Sequence, residues 1–253
     1  MIPLSPEFQP LLLTTNQLRA LPCLPALKDM INEAYLLHHK GFRTPDSRPR
    51  FGNEQELVNA LAPPGRCCVM LQSQDEGQAA RPVACAMLKV YHEGDPPADS
   101  GVSADVDDGV DGADDREDGE GVDISSIHDW EVGVVAVLQD PKLRKLGLAM
   151  RCMEVLERDL LERIKRGGGH SSGGSVPMQN DGLSSPGDQE ASQPLNFWLM
   201  TSKSVNEAYW KRRGYETVKE KVFPKGHWGH KEEFTIAWMK KVVPRNPALT
   251  TGS

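Results

Sequence analysis

The chain has 253 residues, a formal net charge of −7 and 38% hydrophobic residues. This length suits one medium-sized domain, or one domain that carries insertions. No apolar run reaches the roughly 20 residues that a membrane-spanning helix needs, and the first residues lack the basic flank and long apolar core of a signal peptide. We therefore expect a protein of the cytoplasm or nucleus, without a membrane partner, whose five cysteines are free thiols.

Acidic residues are concentrated in one stretch of the chain. Twelve acidic residues and one arginine lie between Asp95 and Asp123, so the remainder of the chain carries about +4. This stretch is rich in aspartate and glycine and has no aromatic residue, which predicts a disordered acidic insertion at 94–124. A second stretch, rich in glycine, serine and proline, predicts a disordered insertion at 166–194. Without the two insertions, we expect a single folded domain over 10–245.

The remaining sequence predicts elements in the order β-α-α-β-β-β-α-β-α-β-β, which is a mixed sheet with helices on its faces. The first half consists of the strand PLLLTT, a helix over 25–39, the short helix NEQELVNALA with Asn53 as its cap, and the strands RCCVMLQSQ and RPVACAMLKVYH. The second half consists of the strand WEVGVVAVL, a helix over 146–165, the strand LNFWLMTS, the helix VNEAYWKRR, and the strands GYETVKEKVF and EFTIAWMKKVV. The valine-rich run in WEVGVVAVL predicts a strand that is buried on both faces.

The join between WEVGVVAVL and the following helix has the residue types of an anion site. Gly133 within the strand indicates a bulge or a close backbone approach. The first turn of a helix exposes unpaired N–H groups that can hold phosphate oxygens. Gly147 lets the backbone approach a ligand, and Arg144 and Lys145 add charge that suits a pyrophosphate. An ordinary strand–turn–helix with a basic pair on its surface explains this segment equally well.

Two motifs in this strand–helix order resemble a known family. RKLGLA at 144–149 matches the signature Arg/Gln-x-x-Gly-x-Gly/Ala, and NEAYWKRRGYETV at 206–218 resembles a second conserved region in which Asn and Tyr precede a Gly-Phe/Tyr turn. On these motifs the chain resembles the GNAT (GCN5-related N-acetyltransferase) superfamily over nearly all its length apart from the insertions. The resemblance implies a mixed, mostly antiparallel α/β sheet with helices on both faces. It also implies an N-acetyltransferase that uses acetyl-CoA as co-substrate and needs no metal.

The resemblance assigns roles to residues of this chain. The loop that would hold the pyrophosphate comprises Arg144, Lys145, Leu146, Gly147, Leu148 and Ala149. The edge of Ala136 and Val137 would align the pantetheine arm, on a strand that separates from the next one to admit the thioester. Asn206 would contact the cofactor arm, although a helix cap is an equal interpretation.

Glu131 and Tyr209 are the candidate catalytic residues. An amine with a pKa near 10 must lose a proton before it attacks, and a carboxylate can accept it. Glu131 precedes Val137 by an even number of residues, so the two share a face in an unbulged strand; a surface glutamate is the alternative. Tyr209 lies beside Trp210, which occupies the usual position of the family's acid. A packed aromatic at Tyr209, with water as the acid, therefore remains open.

The sequence says less about the residues that would bind the acceptor amine. Trp228 is expected in a hairpin loop beside the acceptor pocket, and the nearby His227 and His230 lack further ligands for a metal. Three arginines lie in the loop between the first two predicted helices, where a solvated loop is the default interpretation: Arg43, Arg48 and Arg50. The acceptor is then a small-molecule amine or a protein amine, and the oligomeric state is open.

Two other functional classes compete with an enzyme. The first is a non-catalytic CoA-binding or protein-interaction module on the same fold, with the acidic stretch as its interaction surface. The second is nucleic-acid binding, which the mildly basic core allows. The acidic insertion and the lack of a known nucleic-acid-binding motif oppose it, so nucleic acid is not an expected partner.

Overall fold

The computed structural model describes residues 7–38, 49–73, 79–92, 123–167 and 193–245. Nearly all of the two predicted insertions, together with Arg43 and Arg48, lies outside these ranges, so the predictions made for them stay predictions. Among the described helices, none combines the length and the apolar character that crossing a bilayer requires.

The observed elements confirm the predicted order and fold class, with one extra helix. The first half contains β1 (Phe8–Leu13), α1 (Thr15–Arg19), α2 (Leu24–His38), α3 (Glu54–Asn59), β2 (Arg66–Gln72) and β3 (Arg81–Val90). The second half contains β4 (Asp129–Val137), α4 (Leu148–Gly167), β5 (Leu195–Ser202), α5 (Lys203–Lys211), β6 (Glu216–Phe223) and β7 (Phe234–Val243). The extra helix α1 begins at a capping box, in which Thr14 Oγ1 accepts from Gln17 N at 3.2 Å and Gln17 Oε1 accepts from Thr14 N at 2.9 Å.

The seven strands form one mixed sheet in the order β1-β2-β3-β4-β5-β7-β6. Every neighbouring pair is antiparallel except β4 and β5, which are parallel and pair over only three residues. The three pairs are Asp129–Asn196, Trp130–Phe197 and Glu131–Trp198. Beyond Glu131 the two strands separate, and this separation positions the candidate site.

Each face of the sheet carries its own hydrophobic core. Helices α1 to α3 cover one face, and α4 and α5 cover the other. The apolar residues that recur at helical spacing in α4 are all buried: Ala149, Cys152, Met153, Leu156, Leu160 and Ile164. Asn53 caps α3 as predicted, since its side chain accepts a hydrogen bond from Glu56 N at 2.9 Å.

The predicted irregularity at Gly133 is a β-bulge. Leu88 of β3 faces Val132 and Met87 faces Val134, so Gly133 is skipped in this ladder. A bulge reverses the side-chain alternation, and accordingly Val132 packs in the α4-side core while Val134 packs in the α2-side core. The expectation that Glu131 shares a face with Val137 is therefore wrong, because it assumed an unbulged strand.

Candidate active site

The separation of β4 and β5 creates a cleft with a cavity of about 320 Å³. Its walls come from the open edges of both strands, from α2 and α5, and from the loop between β6 and β7. Val135 and Val137 face this cavity and are only half-buried. The prediction that this strand is buried on both faces is therefore wrong beyond the bulge, because β5 no longer covers its edge.

The candidate base Glu131 lies at the narrow end of this cleft. Its side chain is 9% exposed, and its Oε2 lies 3.2 Å from Lys89 Nζ on the neighbouring strand β3. The ammonium group compensates the charge of a carboxylate that would otherwise be costly to bury. The structure thus brings Glu131 to the cavity, but on the α2 side of the sheet.

The loop after β4 makes a tight turn before α4 begins. A short 3₁₀ turn at Pro141–Leu143 starts at Asp140, whose Oδ1 accepts from Lys142 N at 2.9 Å. Lys145 and Gly147 then adopt left-handed conformations, with φ of 66° and 72°. These two residues delay the start of α4 to Leu148, so the predicted start at Leu146 is wrong.

Backbone N–H groups without helical acceptors follow directly after this exposed loop. The first hydrogen bond of α4 runs from Arg151 N to Gly147 O at 3.0 Å, so the N–H groups of Leu148, Ala149 and Met150 have no acceptor within the helix. Residues 144–147 are exposed, and a Cβ placed on Gly147 would meet nothing within 4 Å. Such an arrangement can hold phosphate oxygens, which agrees with the role implied for residues 144–149.

Helix α5 contributes Asn206 and Tyr209 to the opposite wall of the cavity. The N-cap of α5 is Ser202, so the helix-cap interpretation of Asn206 is wrong. The Arg213 guanidinium carbon lies 3.4 Å from the centroid of the Tyr209 ring. Burial raises the pKa of Tyr209, against the opposing effect of the Arg213 charge, so its hydroxyl keeps its proton at neutral pH. Trp210 also lines the cavity and packs edge-on against Tyr209.

Aromatic side chains form another part of the cavity wall. Trp228 lies in the wall, as predicted, and its φ of 49° is unusual for a bulky residue. His230 is buried and stacks on Phe234 with 3.7 Å between ring centroids. Tyr35 of α2 also lines the cavity. The sequence does not mark Tyr35 as a site residue, because helical periodicity cannot distinguish a core residue from one in a cavity wall.

The cysteines provide no nucleophile to the cavity. All five lie within the described residues, all are free thiols as predicted, and none belongs to the cavity wall. Burial raises the pKa of Cys85 to about 12, so this thiol stays protonated at neutral pH.

Comparison with known proteins returned no matching family model and no matching curated protein. The chain is similar to solved structures of acetyltransferases. One is a ribosomal-protein-S18-alanine N-acetyltransferase from Escherichia coli, with a TM-score of 0.47, 13% identity and coverage of 97% of this chain and 99% of that chain. A second is a ribosomal-protein-alanine N-acetyltransferase from Brucella melitensis, with a TM-score of 0.45, 12% identity and coverage of 93% and 99%. A third is a GNAT superfamily phosphinothricin acetyltransferase from Sinorhizobium meliloti in complex with AcCoA, with a TM-score of 0.45, 10% identity and coverage of 98% and 94%.

The strand order, the parallel pairing of β4 with β5 and the cleft between these two strands agree with the mixed, mostly antiparallel α/β fold that the resemblance to the GNAT superfamily implies.

Proposed function

We propose that this protein is an acyl-CoA-dependent N-acyltransferase that transfers acetyl from acetyl-CoA to an amine. The observation that supports this most is the cleft, in which β4 and β5 pair over three residues and then separate around a cavity. Ala149, at the start of α4, belongs to the wall of this cavity, and aromatic rings form another part of the wall. A long ligand with a diphosphate at one end and a thioester at the other fits such a channel.

The proposed donor contacts follow the cleft from the loop inward. The backbone of residues 144–149 holds the pyrophosphate, and Arg144 and Lys145 add positive charge. The open edge of β4 at Ala136 and Val137 aligns the pantetheine arm through backbone hydrogen bonds. Asn206, on the facing wall, contacts the same arm.

The proposed reaction is a direct attack within a ternary complex. The amine forms a C–N bond at the thioester carbon as Glu131 accepts its proton, and a backbone N–H of β4 stabilises the developing oxyanion. The C–S bond then breaks, and Tyr209 donates its proton to the departing thiolate. Tyr209 is placed for this role by its position in the cavity wall, and burial raises its pKa, so the hydroxyl carries a proton at neutral pH.

The acceptor is proposed to be an amine of a small molecule or of a protein. It would enter at the aromatic part of the wall, beside Tyr35, Trp228 and Phe234. Five free cysteines support a reducing compartment, the cytoplasm or nucleus. A non-catalytic CoA-binding module is the second candidate, and the ion pair between Glu131 and Lys89 favours it, because Lys89 Nζ already contacts the Oε2 oxygen of the candidate base.

Calorimetric titration with acetyl-CoA tests the proposal, using Gly147→Glu and Gly214→Glu as a matched pair. Both glycines have a positive φ, of 72° and 82°, and open space at the Cβ position, but only Gly147 lies in the loop. We expect micromolar binding by the natural sequence and by Gly214→Glu, and none by Gly147→Glu, whose carboxylate would repel the pyrophosphate.

The outcomes separate the two candidates. Absence of binding by the natural sequence would contradict both. The protein is then offered a panel of polyamines, lysine peptides and peptides with free N-termini as acceptors. Binding of acetyl-CoA with no release of CoA in the presence of any of these amines would favour the non-catalytic module.

A further inference from the structure

We infer that Arg50 is a positioning residue for acetyl transfer, which holds the edge of β4 in place at the point where β5 leaves it. The inference rests on the proposed function. Arg50 belongs to the cavity wall, and its Nη2 donates a hydrogen bond to Gly133 O at 2.9 Å across a sequence separation of 83 residues.

The carbonyl that Arg50 binds has no place in either neighbouring strand ladder. Gly133 is the bulge residue that the ladder with β3 skips, and it lies two residues beyond the last pair with β5. In a continuous sheet an adjacent strand would supply a donor to the backbone at this position. Here the guanidinium of Arg50 supplies it, and the edge of β4 stays ordered although β5 has separated.

The guanidinium is held firmly enough to fix this carbonyl. Its carbon lies 4.2 Å from the ring centroid of Tyr35 and 5.5 Å from that of Phe51. The backbone of Phe51 is tied to α2, because Asn32 Oδ1 accepts from Phe51 N at 3.0 Å and Asn32 Nδ2 donates to Phe51 O at 2.9 Å. A planar guanidinium can stack on a ring and donate a directed hydrogen bond at once, which an ammonium group does less well.

The position of this carbonyl bears on the proposed chemistry. A Cβ placed on Gly133 would lie 3.9 Å from Glu131 Oε1, so the bulge packs directly against the candidate base. On its other side β4 continues to Ala136 and Val137, the proposed pantetheine edge. A shift of the bulge would therefore change the spacing between the base and the thioester, while the pyrophosphate loop beyond residue 140 would keep its geometry.

A comparison of Arg50→Met with Arg50→Lys and Arg163→Met tests this role. Arg163 is a matched control, because it makes the same two kinds of contact as Arg50 but does not belong to the cavity wall. Its Nη1 donates to Pro64 O at 3.1 Å, and its guanidinium carbon lies 5.9 Å from the Trp130 ring centroid. For each variant we would measure the melting temperature and the dissociation constants of CoA and acetyl-CoA. The ratio of the two constants isolates the contribution of the acetyl group, which is the part of the ligand that reaches the bulge.

We expect Arg50→Met to weaken acetyl-CoA binding relative to CoA by about fivefold, the effect of one buried hydrogen bond. Arg50→Lys should restore part of the lost preference for acetyl-CoA over CoA. Arg163→Met should lower the melting temperature and leave the ratio of the two dissociation constants unchanged. An unchanged ratio in Arg50→Met, or equal changes in Arg50→Met and Arg163→Met, would overturn the positioning role alone. A natural sequence that binds neither ligand would instead overturn the proposed function.

Discussion

The carboxylate of Asp129 accepts a hydrogen bond from the indole nitrogen of Trp198 at 2.6 Å, at the base of the cleft. The same oxygen accepts from Asn196 Nδ2 at 3.0 Å, and the Trp198 ring stacks on Tyr91 with 4.9 Å between centroids. These contacts join β4 to β5 at the only place where their backbones pair. Because this pairing is so short, we infer that side chains carry much of the force that holds the base of the cleft together.

A double-mutant cycle with Asp129→Ala and Trp198→Phe measures the strength of this contact. We expect a coupling free energy of about 2 kcal/mol, the range for a hydrogen bond to a charged group. Denaturant unfolding of the two single variants and the double variant gives this value. Additive losses, within about 0.5 kcal/mol, would show that the contact contributes little.

Gly147→Ala and Gly214→Ala separate backbone strain from obstruction of the loop. Both positions have positive φ, so alanine should lower the free energy of unfolding by about 1–2 kcal/mol in each case. Neither Cβ would meet a protein neighbour within 4 Å, so a change in acetyl-CoA affinity would report on the ligand alone. We expect weaker binding by Gly147→Ala, whose Cβ would obstruct the approach of the pyrophosphate to the loop, and unchanged binding by Gly214→Ala. Equal affinities would show that the ligand does not come close to residue 147.

The ion pair between Glu131 and Lys89 permits a separation of catalysis from stability. If Glu131 is the base, Glu131→Gln should lower kcat by about 100-fold or more with acetyl-CoA affinity retained. Lys89→Met leaves a buried carboxylate uncompensated and should destabilise the fold by about 3 kcal/mol, which the double variant should largely restore. Steady-state kinetics and denaturant unfolding provide the two measurements. An unchanged kcat in Glu131→Gln would remove Glu131 from the mechanism.

Tyr209→Phe tests the proposed acid. The variant keeps the ring under the Arg213 guanidinium but cannot donate a proton to the thiolate, so kcat should fall by about 100-fold with little change in acetyl-CoA affinity. The natural sequence should keep its activity to a higher pH than a solvent-exposed tyrosine would allow, because burial raises the pKa of Tyr209. A pH–rate profile that is the same in both proteins would assign the proton to water.

Tyr215→Phe should stabilise the fold and reduce the loss of stability at alkaline pH. The Tyr215 hydroxyl is buried without a hydrogen-bond partner among the described residues, and removing it should add about 1 kcal/mol to the free energy of unfolding. Burial, and to a lesser degree the Glu157 charge, raises the pKa of Tyr215 well above its ordinary value.

The raised pKa has a defined consequence for stability. Below about pH 10 the hydroxyl is protonated in both the folded and the unfolded chain, so this residue adds no pH dependence. Above about pH 10 residue 215 ionises in the unfolded chain but not in the folded one. The free energy of unfolding of the natural sequence should then fall by about 1.4 kcal/mol per pH unit relative to that of Tyr215→Phe. Urea unfolding of both proteins from pH 8 to 11 would show this difference. Parallel profiles would mean that Tyr215 ionises at its ordinary pKa.

Local patterns predicted much of this fold. The apolar stripe of α4, the Asn53 cap and the Gly133 bulge each depend on residues that lie close together in the sequence. The helix α1 also had a local signal that was missed, the reciprocal capping of Thr14 and Gln17. The two motifs located the loop before α4 and the wall formed by α5, since both are short and continuous in the sequence.

The arrangement around the cleft required the tertiary structure. The side of the sheet on which Glu131 lies depends on whether the bulge shifts the side-chain alternation of β4. The charge of its carboxylate is compensated by Lys89 of the neighbouring strand. The contact of Arg50 with Gly133 joins residues 83 positions apart, and nothing in the composition of either segment indicates it. The strands, the main helices and the position of the loop before α4 could be predicted from the sequence, because hydrophobic period and turn chemistry act over a few residues. The point where β4 leaves β5 and the side chains that meet there could not be predicted, because these contacts depend on strand register and packing between distant segments.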